Sequence, residues 1–202
     1  MQNGDNYALI CGVLISKDKN ADSSLLGFKR PVLDVEVLCN QNQKTTIECI
    51  TVVISDVFLA KTTSGYKPGD ILTITGEIQS TPDGILYLNA TDIERIYISS
   101  NDNPAIGLVA SRSELLTKKP RLNLVLLCGI VLSSGNNKAE IRIDRQKFTR
   151  GDLQKYDIIS INLSEAEALK ISEGDTICFL GEIGNDGTNC IIYPSDIKIL
   201  AK

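Results

Sequence analysis

The sequence predicts an all-β protein in which one small fold is written twice. Residues 6–16, Asn-Tyr-Ala-Leu-Ile-Cys-Gly-Val-Leu-Ile-Ser, are echoed by residues 123–133, Asn-Leu-Val-Leu-Leu-Cys-Gly-Ile-Val-Leu-Ser. Gly69-Asp70 and Gly76-Glu77-Ile78 return in the same order as Gly174-Asp175 and Gly181-Glu182-Ile183, and Asp92-Ile93 returns as Asp196-Ile197. Between these echoes the chain consists of short runs rich in Val, Ile and Thr, the residues that fit a pleated, half-buried surface. A repeat of this length organises every other inference. At 202 residues the chain has room for two such units, each of about 80–100 residues.

In the first copy the strand-like runs are Leu9–Leu14, Val32–Leu38, Ile47–Ile54, Ile71–Ile78 and Ile85–Leu88. Alternation places Leu33, Val35 and Val37 inward, with Asp34 and Glu36 outward. Thr81-Pro82-Asp83-Gly84 reads as a tight turn between antiparallel strands. Between the third and fourth runs, Ser55 is the expected cap of a short helix carrying Val57, Phe58 and Leu59, closed by Gly65. The second copy repeats the series as Leu124–Leu132, Ala139–Ile143, Ile158–Leu163, Thr176–Ile183 and Asn189–Tyr193. There Ile141 and Ile143 are expected inside and Arg142 outside. Its helix begins at Ser164, with Glu167 three residues on in capping-box spacing.

Three strands, a short helix and two strands is the order of the OB-fold, a five-stranded Greek-key barrel. The expected architecture is two tandem five-stranded OB-fold barrels, each with a short helix between strands 3 and 4. The first domain is residues 1–97, the linker 98–121 and the second domain 122–202. Within the linker, Ala105–Leu116 is apolar enough to pack, as a short helix or an extra strand.

Composition excludes several functional classes. There is no histidine, which removes the commonest general base and the Ser-His and Cys-His nucleophile pairs. No phosphate-binding glycine loop is present. Carboxylate pairs such as Asp34 with Glu36 and Glu165 with Glu167 suit a solvated face better than acid–base catalysis. The six cysteines are scattered without a Cys-x-x-Cys pair, so reduced core positions are expected rather than a metal site or disulfide framework. The expectation is a protein without catalytic residues, metal or cofactor. No apolar run reaches bilayer-spanning length and the first residues lack a signal-peptide pattern, so the cytosol is expected. Net charge is −4. Residues 1–97 carry 8 basic against 12 acidic side chains, residues 122–202 carry 9 against 11, and the linker is net basic. Any nucleic-acid surface must therefore be local.

The opening Asn-Tyr-Ala-Leu-Ile-Cys-Gly-Val-Leu, the segment Glu48–Ile54 and the stretch Lys67–Ile78 with its Gly-Asp and Gly-Glu-Ile resemble the first, third and fourth strands of bacterial single-stranded DNA-binding proteins. The resemblance covers most of residues 6–97 and, more faintly, 122–200. Where that family stacks bases on tryptophan and phenylalanine, this chain holds Cys49 and Ser55, and it has no tryptophan. The hairpin after the fourth strand is cut to Gln79–Gly84, and the segment Ile199–Lys202 has no acidic-tail character. These departures make it similar to accessory, primosomal-replication-protein-like members, or to those of mobile elements. The resemblance implies single-stranded DNA binding in replication, recombination or repair. It also implies replication or recombination proteins as partners, and a homodimer presenting four barrels. The alternative is an OB-fold protein-interaction module that does not itself bind nucleic acid.

Single-strand binding combines cations with aromatic platforms. In the first copy the candidates are Phe28, Lys29 and Arg30, then Tyr66 with Lys67, and Tyr87. The second copy is richer: Arg142, Arg145, Lys147, Phe148, Arg150 and Lys155, with Tyr156 at the end, form a basic hairpin around an aromatic. Asp34, Glu36 and Glu48 oppose phosphate on the first copy, and Asp144 and Asp152 offset charge on the second.

Overall fold

The computed structural model describes residues 4–18, 22–23, 28–41, 44–97, 122–145, 155–185 and 189–201. The linker 98–121, with its expected packed segment, lies outside them. The chain divides into two compact units: Ala8–Glu77 with Tyr87–Asn123, and Met1–Tyr7 with Ile78–Leu86 and Leu124–Lys202.

The first half pairs as the OB order requires. Strand β1 (Asn6–Asp18) is antiparallel to β4 (Val32–Gln41) and, along its other edge, to β6 (Ile71–Ser80). Strand β4 pairs with β5 (Lys44–Ile54), and β5 runs parallel to β7 (Leu86–Tyr97), which lies beside β6 and closes the circuit. A two-residue ladder of β2 (Asp22–Ser23) and β3 (Phe28–Lys29) decorates the β1–β4 connection, which the hydrophobic pattern did not signal. The alternation holds: Leu33, Val35 and Val37 are fully buried, while Asp34 and Glu36 are partly exposed on the opposite face. Helix α1 (Val57–Thr62) joins β5 to β6, followed by a 3-10 turn, Thr63–Gly65. Its cap is Asp56, not Ser55: the Asp56 carboxylate accepts from the Leu59 amide at 2.8 Å. Both residue types cap well, and Ser55 is engaged elsewhere.

The second half closes the same way. Strand β8 (Asn123–Gly135) pairs with β9 (Lys138–Asp144) and β11 (Thr176–Asn185), and β9 with β10 (Tyr156–Asn162). Strand β10 is parallel to β12 (Cys190–Ala201), which returns antiparallel to β11. Helix α2 (Glu165–Ala168) carries the capping box as expected, with Ser164 and Glu167 bonding reciprocally. The β8–β9 turn is made by Asn136 and Asn137 at φ 51° and 59°, the left-handed pair that a two-residue hairpin demands.

The sequence echoes are places where the backbone leaves no choice. A Cβ on Gly12 would lie 2.5 Å from the Glu36 carbonyl oxygen, and one on Gly129 would lie 2.4 Å from that of Arg142. Gly76 and Gly181 sit equally tightly against Asn89 and Tyr193. Gly69 and Gly174 have φ of 94° and 90°. The aspartates that follow accept from the Lys67 and Ser172 amides, both at 2.9 Å, closing identical turns.

The unit containing the second circuit also holds residues 4–7 and the β6–β7 hairpin. Gly4 and Asp5 exchange backbone hydrogen bonds with Cys128 at 3.2 and 2.8 Å. Asn6 clamps Ile78 through its side-chain amide, donating to the carbonyl at 2.6 Å and accepting from the amide at 2.9 Å. The hairpin turns at Thr81–Gly84, where the Gly84 amide donates to the Thr81 carbonyl at 2.9 Å. Just before that turn, Asp157 accepts from the Ser80 amide at 2.7 Å and pairs with Arg145 at 2.7 Å.

Candidate nucleic-acid interface

OB-folds bind oligonucleotides on the surface of their second and third strands and the loops beside it. Here those strands are β4–β5 and β9–β10. The glycine contacts align the two: Gly12 faces the Glu36 carbonyl and Gly129 the Arg142 carbonyl, so Glu36 and Arg142 hold equivalent positions.

The β4–β5 face is acidic. Across the ladder Glu36 faces Cys49 and Asp34 faces Thr51. Asp34 accepts from the Ser16 hydroxyl at 2.5 Å, and Glu48 from the Thr46 hydroxyl at 2.8 Å. Partial desolvation by the surrounding strands, then the carboxylates of Asp34 and Glu36, push the Cys49 thiol from 9.0 to about 11. The same field repels phosphate. Cys49 is exposed, unlike the other five cysteines, which are buried as expected.

The β9–β10 face carries the opposite device. The Arg142 guanidinium lies 5.0 Å from the centroid of the Tyr156 ring. Its Nε and Nη2 both donate to Asp144 Oδ1 at 2.9 Å. Arg142 keeps 42% of its side chain in solvent and Tyr156 is 41% exposed. The stack presents a planar cation and an aromatic to solvent together, while Asp144 offsets part of the charge. Lys155 is exposed next to Tyr156.

The other sequence candidates separate. Arg145 is turned inward: its guanidinium grips Asp157 through Nε at 2.8 Å and Nη2 at 2.7 Å, and Nη2 also reaches the Ser80 carbonyl at 3.4 Å. Only 5% of its side chain is exposed. Lys147, Phe148 and Arg150 lie outside the described residues. Phe28 and Lys29 form the β3 strand. Arg30 donates to the Ser55 hydroxyl, which donates to Asn89 Oδ1 at 2.5 Å. Tyr87 is buried in the first circuit. Tyr66 donates to the Ile93 carbonyl at 3.3 Å and carries Arg95 4.9 Å over its ring, while Lys67 is exposed.

Sequence reasoning missed Phe58, which is 82% exposed on α1. A six-residue helix is too short for apolar periodicity to separate inner from outer positions. It also missed the inward turn of Arg145, because Asp157 lies twelve residues away and strand register alone brings the two together.

Among the described residues no cluster of His, Cys, Asp or Glu could hold a metal ion. No helix among them is long and apolar enough to cross a membrane.

The strand circuits and the β9–β10 surface define an OB-fold protein with an exposed cation–aromatic platform. Solved structures match that fold along the whole chain. The wild-type single-stranded DNA-binding protein from Thermus aquaticus matches with a TM-score of 0.65 at 11% identity, covering 100% of this chain and 95% of that one. A deletion mutant of the same protein gives 0.65 at 12%, covering 100% and 97%. The PriB protein from Ralstonia solanacearum covers 46% of this chain and 99% of its own, with a TM-score of 0.35 at 11% identity. No protein-family model matches the chain, and no curated protein does.

Proposed function

We propose that this protein binds single-stranded DNA without catalysing a reaction, serving replication, recombination or repair of a chromosome or a mobile element. The likeness in fold, along the whole chain, to a single-stranded DNA-binding protein from Thermus aquaticus carries the reading. In this reading residues 1–97 and 122–202 are tandem barrels, the protein is cytosolic, and two chains assemble into a four-barrel dimer. The β9–β10 face is the principal contact. Tyr156 and Arg142 take a base between ring and solvent, and Lys155 with Lys147 and Arg150 tracks the phosphates. Phe148 adds a second aromatic to that arm. Arg30, Lys29, Phe28 and Lys67 extend the path on the first barrel. Arg145 and Tyr87 support the fold and take no part in contact.

Each phosphate contact on a single strand adds about −0.7 to the log–log salt slope of affinity. Three or four contacts therefore give a slope of roughly −2 to −3. Fluorescence anisotropy of labelled oligo-dT at two salt concentrations tests this. Absence of salt-sensitive binding at micromolar protein would sink the proposal.

The acidic β4–β5 face favours a second role for the first barrel, as a docking surface for a replication or recombination protein. A pull-down that survives nuclease treatment, combined with failed oligonucleotide binding, would move the whole protein to this interaction-module reading.

A further inference from the structure

Cys128 and Cys178 face each other directly across the antiparallel β8–β11 ladder. Which kind of pair they form follows from the backbone. The Cys128 amide donates to the Asp5 carbonyl at 2.8 Å, and its carbonyl accepts from the Gly4 amide at 3.2 Å. Both groups therefore point away from β11, and Cys128–Cys178 is a non-hydrogen-bonded pair. Such pairs hold their Cα atoms about 4.5 Å apart, closer than hydrogen-bonded ones. That spacing lies within the roughly 4.4–6.8 Å a disulfide spans.

We propose that Cys128 and Cys178 form a cross-strand disulfide when the surrounding thiol pool turns oxidising, with a low-molecular-weight disulfide as the oxidant. One thiolate attacks the small disulfide and expels one small thiolate, giving a mixed disulfide. The second protein thiolate attacks the protein sulfur of that bond and expels the other. The two protons lost by the cysteines end on the two small thiols, so the small disulfide is reduced as the protein is oxidised. Reaction needs local opening, because both cysteines are buried and residues 4–5 run alongside Cys128. Burial first, then neighbouring groups including the Asp5 carboxylate, raise both thiols above their ordinary value. The reaction is therefore slow at neutral pH and accelerates as pH rises.

The first circuit supplies an internal control. Cys11 occupies the position of Cys128, its amide likewise turned away toward the Leu122 carbonyl at 2.7 Å, but its cross-strand partner is Thr73. Exposed Cys49 faces Glu36 and has no thiol opposite it on β4.

The test uses the full chain incubated with oxidised glutathione under native conditions, then alkylated and mapped by mass spectrometry. The expected product has lost two thiols without added mass, joins the Cys128 and Cys178 peptides, and melts several degrees higher. A glutathione adduct on exposed Cys49 alongside that cross-link does not count against the pair. Thr73→Cys is expected to gain a second cross-link, to Cys11, and Cys178→Ser to lose the native one. Only glutathione adducts, or a disulfide between other cysteines, would overturn the proposal. So would a Thr73→Cys chain that cross-links at Cys11 while Cys128 and Cys178 stay alkylatable. None of these readouts depends on DNA binding.

Discussion

Glu36 and Arg142 occupy the same place in the two circuits, each with its carbonyl pressed on the glycine of the first strand, yet they carry opposite charges. Around Glu36 the face gathers Asp34 and a thiol that resists ionisation. Around Arg142 it gathers Tyr156 and the offsetting carboxylate of Asp144, while Glu140 keeps the place of Asp34 and accepts from the Ser133 hydroxyl at 3.2 Å as Asp34 does from Ser16. The inward neighbours did not diverge in kind: Val35 and Val37 match Ile141 and Ile143, all buried. Sterics hold the inside of a closed sheet to apolar residues and its close crossings to glycine. The outside is constrained only by what it touches, so a duplicated scaffold can carry two different surfaces.

The two circuits use their carboxylates in opposite ways, one buried in an ion pair and one left on a solvated face. Asp157 is 1% exposed and is the counter-charge of a nearly buried arginine. Asp157→Ala leaves Arg145 buried and unpaired, a change that costs about 3–5 kcal/mol. Glu36→Ala on the solvated face is expected to stay within about 0.5 kcal/mol. Thermal and urea melts of both variants decide this. Similar midpoints would remove Arg145–Asp157 as the bond that holds the β6–β7 hairpin. A double variant, Arg145→Met with Asp157→Leu, should recover part of the loss, since no charge is then left alone although the Ser80 amide still loses its acceptor.

Next come the glycines that make the copies equivalent. Gly12→Ala and Gly129→Ala each drive a Cβ into a carbonyl oxygen at 2.5 and 2.4 Å. Overpacking of this kind costs about 1–3 kcal/mol, and the two losses should be similar. A tolerated substitution at one site alone would mean that its circuit can relax where the other cannot.

The scaffold was legible because its constraints are local or periodic. Alternation gave the strand faces at Leu33–Val37, spacing gave the Ser164–Glu167 cap, and the repeated glycines marked the crossings. Ser55 lost the first cap to its neighbour Asp56 because Arg30 and Asn89 hold its hydroxyl, a long-range contact. The site was half legible for the same reason. A basic run around Arg142 and Tyr156 is visible in one dimension. Whether each cation points to water or into an ion pair depends on residues such as Ser80 and Asp157, which only folding brings near.

The binding surface offers a test of about equal size. Stacking of one base on an aromatic contributes about 1–3 kcal/mol, so Tyr156→Ala should weaken oligo-dT binding by roughly 5- to 150-fold. Asp144→Asn removes the carboxylate that offsets Arg142 and should strengthen binding and steepen its salt dependence. On the first face, exchanging Asp34 and Glu36 for lysine should raise affinity modestly, by removing repulsion without supplying a platform. An unchanged affinity in Tyr156→Ala would move the contact off β9–β10.

The smallest effect is a pH dependence confined to the acidic face. The Cys49 thiol is raised to about 11 in the folded protein, against 9.0 for an ordinary thiol, because partial desolvation and then Asp34 and Glu36 disfavour the thiolate. The folded state therefore binds this proton more tightly than the unfolded chain does. The stability linked to it is complete below about pH 9 and is lost as pH rises toward about 11. Cys49→Ser should flatten the fall in melting temperature across that window relative to the parent chain. Asp34→Asn with Glu36→Gln should move the thiolate absorbance titration of Cys49 downward. Ile158 occupies the equivalent position beside Arg142 and cannot titrate, so substituting it leaves that window unchanged. A Cys49 titration at the ordinary thiol value would show that the two carboxylates are too well solvated to act on their own face, and would remove the electrostatic contrast between the two circuits.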